Sequence, residues 1–203
     1  MTPAELASRT YIALIHYPVY DKHGRTVATS ITNLDIHDIA RSSKTYGLAN
    51  YFIVHPVLAQ RELAQRVVNH WQIGSGQKQN DFRREALDTV IVTSSIDDVV
   101  DTIKSCHGTL PLVVGTSARR MLNVVGFGAP LHDPTVLGDR PLLILLGTGW
   151  GLIAEWTECK VEKFFPPIHG TADYNHLSVR TAAGIILDRI FSQPGLDSGE
   201  YSQ

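Results

Sequence analysis

The sequence predicts an α/β protein, in which a three-layer arrangement places helices on both faces of a mostly parallel sheet. Short apolar runs alternate along the chain with segments whose apolar residues recur at helical spacing. The apolar runs are hydrophobic throughout, which is typical of parallel strands that are covered on both faces. The chain has 203 residues, of which 43% are hydrophobic and 19% charged, so one core needs no disulfide support.

The N-terminal half begins with a strand and a well-marked helix. Residues 10–19 are predicted as the first strand, in which Ile12, Leu14 and Ile15 indicate burial on both faces. A polar turn follows at residues 21–25. Residues 32–46 are predicted as a helix, because Thr32 and Asp35 have the spacing of a capping box and Gly47 stands where a helix ends. Its buried face is predicted to carry Ile36, Ile39, Ala40 and Ser43.

The remaining elements continue the alternation to the end of the chain. Further strands are predicted at residues 51–54, 89–93, 111–115 and 142–146. Helical spacing marks three segments and a short helix at residues 81–87. The three apolar stripes are Leu63, Val67, Val68 and Trp71; Ile96, Val99, Val100 and Ile103; and Val179, Ala182, Ala183, Ile186, Leu187 and Ile190. Residues 74–80 are linker-like but too short to separate domains, so residues 1–203 are predicted to form one domain.

Composition excludes several classes of protein. No apolar run approaches the roughly 20 residues that cross a bilayer, and the N-terminus lacks the features of a secretory signal. We therefore expect a cytoplasmic protein with no membrane partner, whose Cys106 and Cys159 are isolated, buried thiols. The net charge of −2 argues against indiscriminate nucleic-acid binding, so no DNA partner is expected, but an enzyme with one RNA substrate is not excluded.

The strongest chemical signal is the glycine-rich stretch at residues 147–151, directly after the strand at 142–146. Ligands of parallel sheets bind beyond the carboxyl ends of the strands, which directs attention to the loops after Val54, Val114 and Leu146. A dinucleotide fingerprint is disfavoured because Leu152 occupies the position of its third glycine, and no phosphate-binding lysine follows. A Rossmann-type nucleotide-binding enzyme and a tight turn without a ligand both remain open.

Two further loops have a similar character. Gly115 and Thr116 end one strand, and residues 166–170 lead through Asn175 into the last helix, which Asn175 or Ser178 is expected to cap. Three such loops in one half of the chain favour a joint ligand pocket.

Arg41 and the histidines have less specific patterns. An arginine at the boundary of a helix and a sheet often binds phosphate or carboxylate, but Arg41 is equally explained by pairing with Asp38 or Asp35. His37 and Asp38 diverge on a helix, so a shared metal is not expected. The other histidines are interpreted as exposed or locally hydrogen-bonded.

Three motifs together resemble the SPOUT class of S-adenosylmethionine-dependent RNA methyltransferases, the α/β-knot proteins. The first runs from Asn33 through Arg41 to Tyr46 and Gly47, the second is LLGTGWGL at residues 145–152, and the third is YNHLSVRTAAGIILDR at residues 174–189. The chain is similar to a bacterial branch of single-domain members, and the motifs extend over most of its length.

The resemblance implies a C-terminal deep trefoil knot within roughly residues 111–192, a rare exception to unknotted folding. It implies S-adenosylmethionine as cofactor, a tRNA or rRNA substrate, and a homodimer with active sites near its interface. Arg41 falls where ribose-methylating members keep a catalytic arginine, and Asn33 and Asn175 complete the expected catalytic set. The expected cofactor-binding residues are Gly115, Thr116, Leu146, Gly147, Thr148, Gly149, Gly151, Ile168, Gly170, Leu177 and Ser178. The methyl acceptor, a ribose oxygen or a base nitrogen, stays open, as does a non-catalytic RNA module that binds the cofactor.

Overall fold

The computed structural model describes residues 1–74, 76 and 80–192. In chain order its elements are α1 (Pro3–Ala7), β1 (Thr10–Ile15), β2 (Val19–Tyr20), β3 (Thr26–Val27), α2 (Asn33–Thr45), β4 (Asn50–Val54), α3 (Leu58–Gln72), α4 (Asp81–Leu87), β5 (Val90–Thr93), α5 (Ile96–His107), β6 (Leu112–Gly115), α6 (Ala129–His132), α7 (Pro134–Leu137), β7 (Leu142–Gly147), α8 (Ala154–Lys160), β8 (Lys163–Phe164) and α9 (Val179–Phe191).

Six strands form one sheet in the order β5-β4-β1-β7-β6-β8, and every neighbouring pair is parallel. Ile12 of β1 lies between Tyr51 of β4 and Ile144 of β7. The short strands β2 and β3 form a separate antiparallel pair. The prediction of a mostly parallel sheet is confirmed, and this order puts the carboxyl ends of β1, β7, β6 and β8 side by side.

Helices cover both faces of the sheet, and each face has its own hydrophobic core. On one face, Ile12 and Leu14 of β1 pack with apolar side chains of α2, α3 and α9. On the other face, Ile15 packs with the predicted stripe of α5, which includes Val99 and Ile103. The alternation of β1 side chains between the two cores explains why this strand is apolar throughout.

The helix predicted at residues 32–46 is confirmed as α2, with Thr32 as its N-cap. The Thr32 hydroxyl accepts a hydrogen bond from the Asp35 backbone N–H at 3.2 Å. The Asp35 carboxylate accepts from that same hydroxyl, at 2.6 Å, so the second half of a capping box is replaced by a side-chain contact. Gly47 has a left-handed φ of 74°, as a residue ending a helix requires.

Several local predictions are wrong. The first strand ends at Ile15, because Pro18 offers no N–H to a ladder, and Val19 enters the separate β2–β3 pair. Leu63 is 41% exposed, and Ala64 is buried in its place, whereas the predicted Val68 is buried and Val67 and Trp71 pack on the core. The two cysteines are exposed rather than buried. The linker-like stretch at 74–80 lies largely outside the described residues.

In the described part of the chain, no helix combines the length and the apolar character needed to cross a membrane.

Candidate active site

Three loops meet beyond the carboxyl ends of β6, β7 and β8. They are the first loop (residues 116–120), the glycine turn (residues 147–151) and the third loop (residues 166–178). The Asn175 side-chain amide donates to the Ala118 carbonyl at 3.4 Å, and the Arg119 guanidinium donates to the Trp150 carbonyl at 3.1 Å. The His176 ring lies 5.9 Å from the Trp150 ring, centroid to centroid. The structure thus brings together the three loops that the sequence singled out.

At the end of β6 and in the glycine turn, three glycines are required by contacts inside the protein. A Cβ on Gly115 would lie 2.5 Å from the Phe164 ring, and one on Gly147 would lie 2.8 Å from the Leu152 nitrogen. Gly149 has a φ of 59°, and its Cβ would lie 2.8 Å from the Tyr20 carbonyl oxygen. No side chain fits at these positions, because each hypothetical Cβ overlaps neighbouring protein atoms.

Gly151 and Gly170 are different, since a Cβ at either position would meet nothing within 4 Å. Gly151 has a φ of 96°, where an L side chain is strained even though the space beside it is open. Open space beside two glycines of neighbouring loops lets a ligand approach the backbone closely.

The glycine turn is fixed to the β2 strand and to the end of β1. The Trp150 N–H donates to the Tyr20 carbonyl, and the Tyr20 N–H donates to the Gly151 carbonyl, both at 2.9 Å. The Thr148 hydroxyl donates to the Ile15 carbonyl at 3.0 Å. Tyr20 has no signal in the sequence, because backbone groups make its two contacts with the turn and every residue except proline carries both of these groups.

A buried polar cluster supports the turn from below. Nδ1 of His16 is hydrogen-bonded to the Thr29 hydroxyl at 3.1 Å, which in turn contacts the Thr148 hydroxyl. Nε2 of His55 pairs with the Thr29 carbonyl at 3.0 Å. Nε2 of His16 is buried and has no hydrogen-bond partner among the described residues. Burial, followed by repulsion from His55, lowers the pKa of His16 to about 4, so the ring is neutral at pH 7.

Among the other residues expected to bind the cofactor, most side chains stabilise the fold and one is exposed at the surface. The Leu146 side chain is buried and the Thr116 hydroxyl donates to the Leu145 carbonyl at 2.9 Å, so these side chains serve the fold. Ile168 packs on the core. Ser178, rather than Asn175, caps α9 by accepting from the Thr181 N–H at 3.2 Å. Leu177 is 46% exposed and Trp150 54% exposed, which gives the loop cluster an apolar surface.

Arg41 and Asn33 are placed on α2, and no hydrogen bond or ion pair within the described residues joins them to the three loops. Arg41 is exposed and lines a groove of about 610 Å³ between α2 and α9. The interpretation that pairs Arg41 with Asp35 or Asp38 is wrong, since Arg180 of α9 takes both carboxylates, at 3.1 and 3.3 Å. Arg180 lies inside the third motif but was not identified from the sequence.

Within the ranges that the structure describes, no three His, Cys, Asp or Glu side chains converge to hold a metal ion.

The parallel sheet and the loops at its carboxyl edge define an α/β protein of the kind in which ligands bind beyond the strand ends. The chain belongs to the family of SAM-dependent RNA methyltransferases, whose model matches residues 9–192. It is thus an enzyme that uses S-adenosylmethionine to methylate RNA, and the expectations of family, reaction and cofactor are confirmed.

Relatives at 40% identity or more span most of this chain. A protein of Aquifex aeolicus described as uncharacterized is 41% identical over 187 residues, which cover 92% of this chain and 90% of the relative. A tRNA (guanine-N(1)-)-methyltransferase of Nitratidesulfovibrio vulgaris is 42% identical over 180 residues, covering 89% of this chain. That match spans only 41% of the length of the tRNA methyltransferase.

Solved structures of methyltransferases share the fold. A methylase family protein from Neisseria gonorrhoeae has a TM-score of 0.60 and 17% identity, with 93% of this chain and 84% of that chain covered. The SpoU methyltransferase AviRb from Streptomyces viridochromogenes, solved with AdoMet, has a TM-score of 0.51 and 16% identity, with 88% and 57% covered. The chain therefore shares its fold with these methyltransferases.

Proposed function

We propose that this chain methylates a nucleotide of tRNA, as a homodimer, with S-adenosylmethionine bound among the three loops. The observation that carries the site assignment is the convergence of Asn175, Ala118, Arg119 and Trp150 at one edge of the sheet. The choice of tRNA rests on the relatives of which this chain spans 41%.

The loop residues fit the cofactor in two respects. Open space beside Gly151 and Gly170 admits a ligand to the backbone of two loops, and exposed Trp150 and Leu177 offer apolar surface to a planar base. When bound, S-adenosylmethionine supplies a methyl group on a cationic sulfur. Backbone groups of residues 115–116, 146–151, 168–170 and 177–178 would hold it, within a trefoil knot that spans roughly residues 111–192.

Arg41 is proposed to act in the site of the partner subunit. Within its own chain it lies on α2 beside the α2–α9 groove, and no hydrogen bond or ion pair among the described residues joins it to the loops. A second copy of the chain that packs on the α2–α9 groove brings Arg41 of one subunit toward the loops of the other. There its guanidinium holds a phosphate of the RNA or the oxygen that loses a proton.

Asn33 and Asn175 are proposed to position the target nucleotide. Asn33 lies in the first turn of α2, and the Asn175 side chain is tied to the first loop through the Ala118 carbonyl. Methyl transfer needs an acceptor aligned with the methyl group and the loss of one proton, so positioning supplies a large share of the catalysis.

Incubation of the purified protein with methyl-labelled cofactor and total RNA from the source organism tests this function. We expect label in tRNA, and mapping of the labelled nucleotide decides between a ribose oxygen and a base nitrogen. Label confined to rRNA would contradict the tRNA assignment. Micromolar cofactor binding by calorimetry, without transfer to RNA from a deletion strain, would instead favour a non-catalytic RNA module.

A further inference from the structure

A second groove lies on the other side of α2, bounded by α3 and α4. Its volume is about 620 Å³, and we name it the basic groove after the side chains that line it. Those that matter are Arg41, Arg66, Arg83, His37, His70 and Trp71. None of them belongs to the three loops, and the function proposed above uses only Arg41.

The positive charge of the groove is largely uncompensated. Among the described residues, Arg41, Arg66 and Arg83 form no ion pair. The carboxylate that lines the groove, Asp38, is already held by Arg180 at 3.3 Å. The whole chain carries a net charge of −2, so three guanidinium groups in one groove form a local basic site on an acidic protein.

The aromatic content of the groove suits a nucleic acid. The Arg83 guanidinium lies 4.4 Å from the centre of the Trp71 ring, a cation–π contact that holds its plane in place. The rings of His37 and His70 meet the Trp71 ring edge-on, at 5.9 and 5.1 Å between centroids. A fixed, planar guanidinium is a better donor to phosphate oxygens than a freely rotating one, because less side-chain entropy is lost on binding.

The positive charge of the groove also affects His37. Its pKa is lowered by burial first and then by Arg83, with Arg41 acting in the same direction and Asp38 opposing. The two guanidinium groups are therefore close enough to disfavour a further positive charge in the groove.

We propose that the basic groove binds the phosphodiester backbone of the RNA substrate, beside the target nucleotide. This inference rests on the proposed function, in which Arg41 serves the reaction. Arg41 lines both the α2–α9 groove and the basic groove, so RNA that reaches Arg41 continues into the basic groove without crossing another element. The groove gives affinity rather than sequence selectivity, because guanidinium–phosphate contacts carry no base information.

Charge reversal at Arg66 and Arg83 tests the groove, with Lys104→Glu as the matched control. Arg66 is exposed on α3, and Lys104 is exposed on α5, which covers the opposite face of the sheet. Binding of unfractionated tRNA is measured by fluorescence anisotropy between about 50 and 200 mM salt. We expect Arg66→Glu and Arg83→Glu each to weaken binding about tenfold, as loss of a charge-assisted hydrogen bond does. The slope of log affinity against log salt concentration is negative, and its magnitude should decrease by about 0.7 to 0.9 for each phosphate contact removed.

Lys104→Glu should leave both the affinity and the slope unchanged, and all three variants should bind S-adenosylmethionine as the unmodified chain does. Equal tRNA affinity and salt slope for Arg66→Glu and Lys104→Glu would overturn the proposal. Since Arg83 packs on Trp71, the exposed Arg66 decides the result if Arg83→Glu fails to fold. If the salt slope depends on Arg66 and Arg83 but the protein transfers no methyl group to RNA, the proposed function is refuted and the groove proposal is not. Methyl transfer with an unchanged KM for tRNA in Arg66→Glu would refute the groove alone.

Discussion

His16 is fully buried between the carboxyl end of β1 and the loop that carries Thr29, and its ring supports the glycine turn through Thr29 and Thr148. Because its pKa is lowered to about 4 in the folded chain, the unfolded chain takes up a proton first as the pH falls. The unfolding free energy should therefore decrease between pH 6.5 and pH 4, by about 2 kcal/mol at pH 4.5 for this group alone. Lowering of the His55 pKa, chiefly by burial, adds to the same trend.

Urea unfolding at pH 7 and pH 4.5 measures this effect. His16→Asn should show a weaker pH dependence than the unmodified chain, whereas the same change at exposed His23 should leave the dependence intact. An identical loss of stability in the unmodified chain and His16→Asn would show that His16 does not stay neutral in the fold.

Arg180 joins the third motif to the first, because its guanidinium pairs with Asp35 and Asp38 of α2. Asp35 is 5% exposed, so Arg180→Met would leave a buried carboxylate without its counter-charge. We expect a loss of about 1 to 3 kcal/mol in unfolding free energy, less than for a fully enclosed pair because the Arg180 side chain is partly exposed. Chemical denaturation of Arg180→Met, Asp35→Asn and the double variant measures the coupling; strictly additive losses would mean that the pair contributes nothing.

At this scale the sequence identified the acids but not their partner. Neighbours three or four positions apart on one helix can be identified from spacing, which favours Asp38, three positions from Arg41, as a partner but not Asp35, which is six positions away. Arg180 is 145 positions from Asp35, and only the packing of α9 against α2 brings them together. The same limit applies to His16, because nothing in its local sequence shows that the chain turns there and encloses it.

The glycine turn is the element on which the proposed cofactor site depends, and its glycines offer a graded test. Gly149→Ala should destabilise the chain by about 1 to 3 kcal/mol. The residue has a positive φ, and the new Cβ would lie only 2.8 Å from the Tyr20 carbonyl oxygen. Gly151→Ala should cost only about 1 kcal/mol for its φ, because its Cβ faces open space. Gly126→Ala, outside the three loops, is the control without either strain.

Calorimetry with S-adenosylmethionine then separates the turn from the ligand. We expect Gly149→Ala to bind the cofactor most weakly of the three, since the whole turn must move away from β2. Unchanged affinity in Gly149→Ala would mean that the position of the turn does not matter to the cofactor.

Elements with a clear hydrophobic pattern were predictable, and those without one were not. Strands β1, β4, β5, β6 and β7 are mostly apolar, and α2, α4 and α5 have capping residues that mark their starts. The two-residue strand β8 begins with Lys163 and was not predicted. The pair β2–β3 and the four-residue helices α6 and α7 are too short to have a period. The convergence of the three loops was predictable because each follows an apolar segment, whereas their support by Tyr20 and Thr29 depends on backbone hydrogen bonds.

For the whole molecule, the apolar stripe of α9 does not provide a dimer surface. Ala183, Ile186, Leu187 and Ile190 are buried in the chain's own core. The exposed part of the α2–α9 groove, which includes Gly184, Ile185 and Arg41, is the surface that we propose for a second copy. A homodimer that uses it would place Arg41 and the three loops of different subunits in one active site.

Two inactive variants combined in one dimer test this arrangement directly. Arg41→Ala should reduce methyl transfer by about 10²-fold or more without changing cofactor affinity, and Asn175→Ala should also impair transfer. If each site takes Arg41 from one subunit and Asn175 from the other, a mixed dimer contains one intact site. Random mixing of equal amounts should then restore about a quarter of the unmodified activity. If both residues act within one chain, every site in the mixture keeps one defect and no activity returns. Light scattering of the same sample must give twice the 22.4 kDa chain mass. A monomer mass would refute the shared site, and so would a fully active Arg41→Ala enzyme.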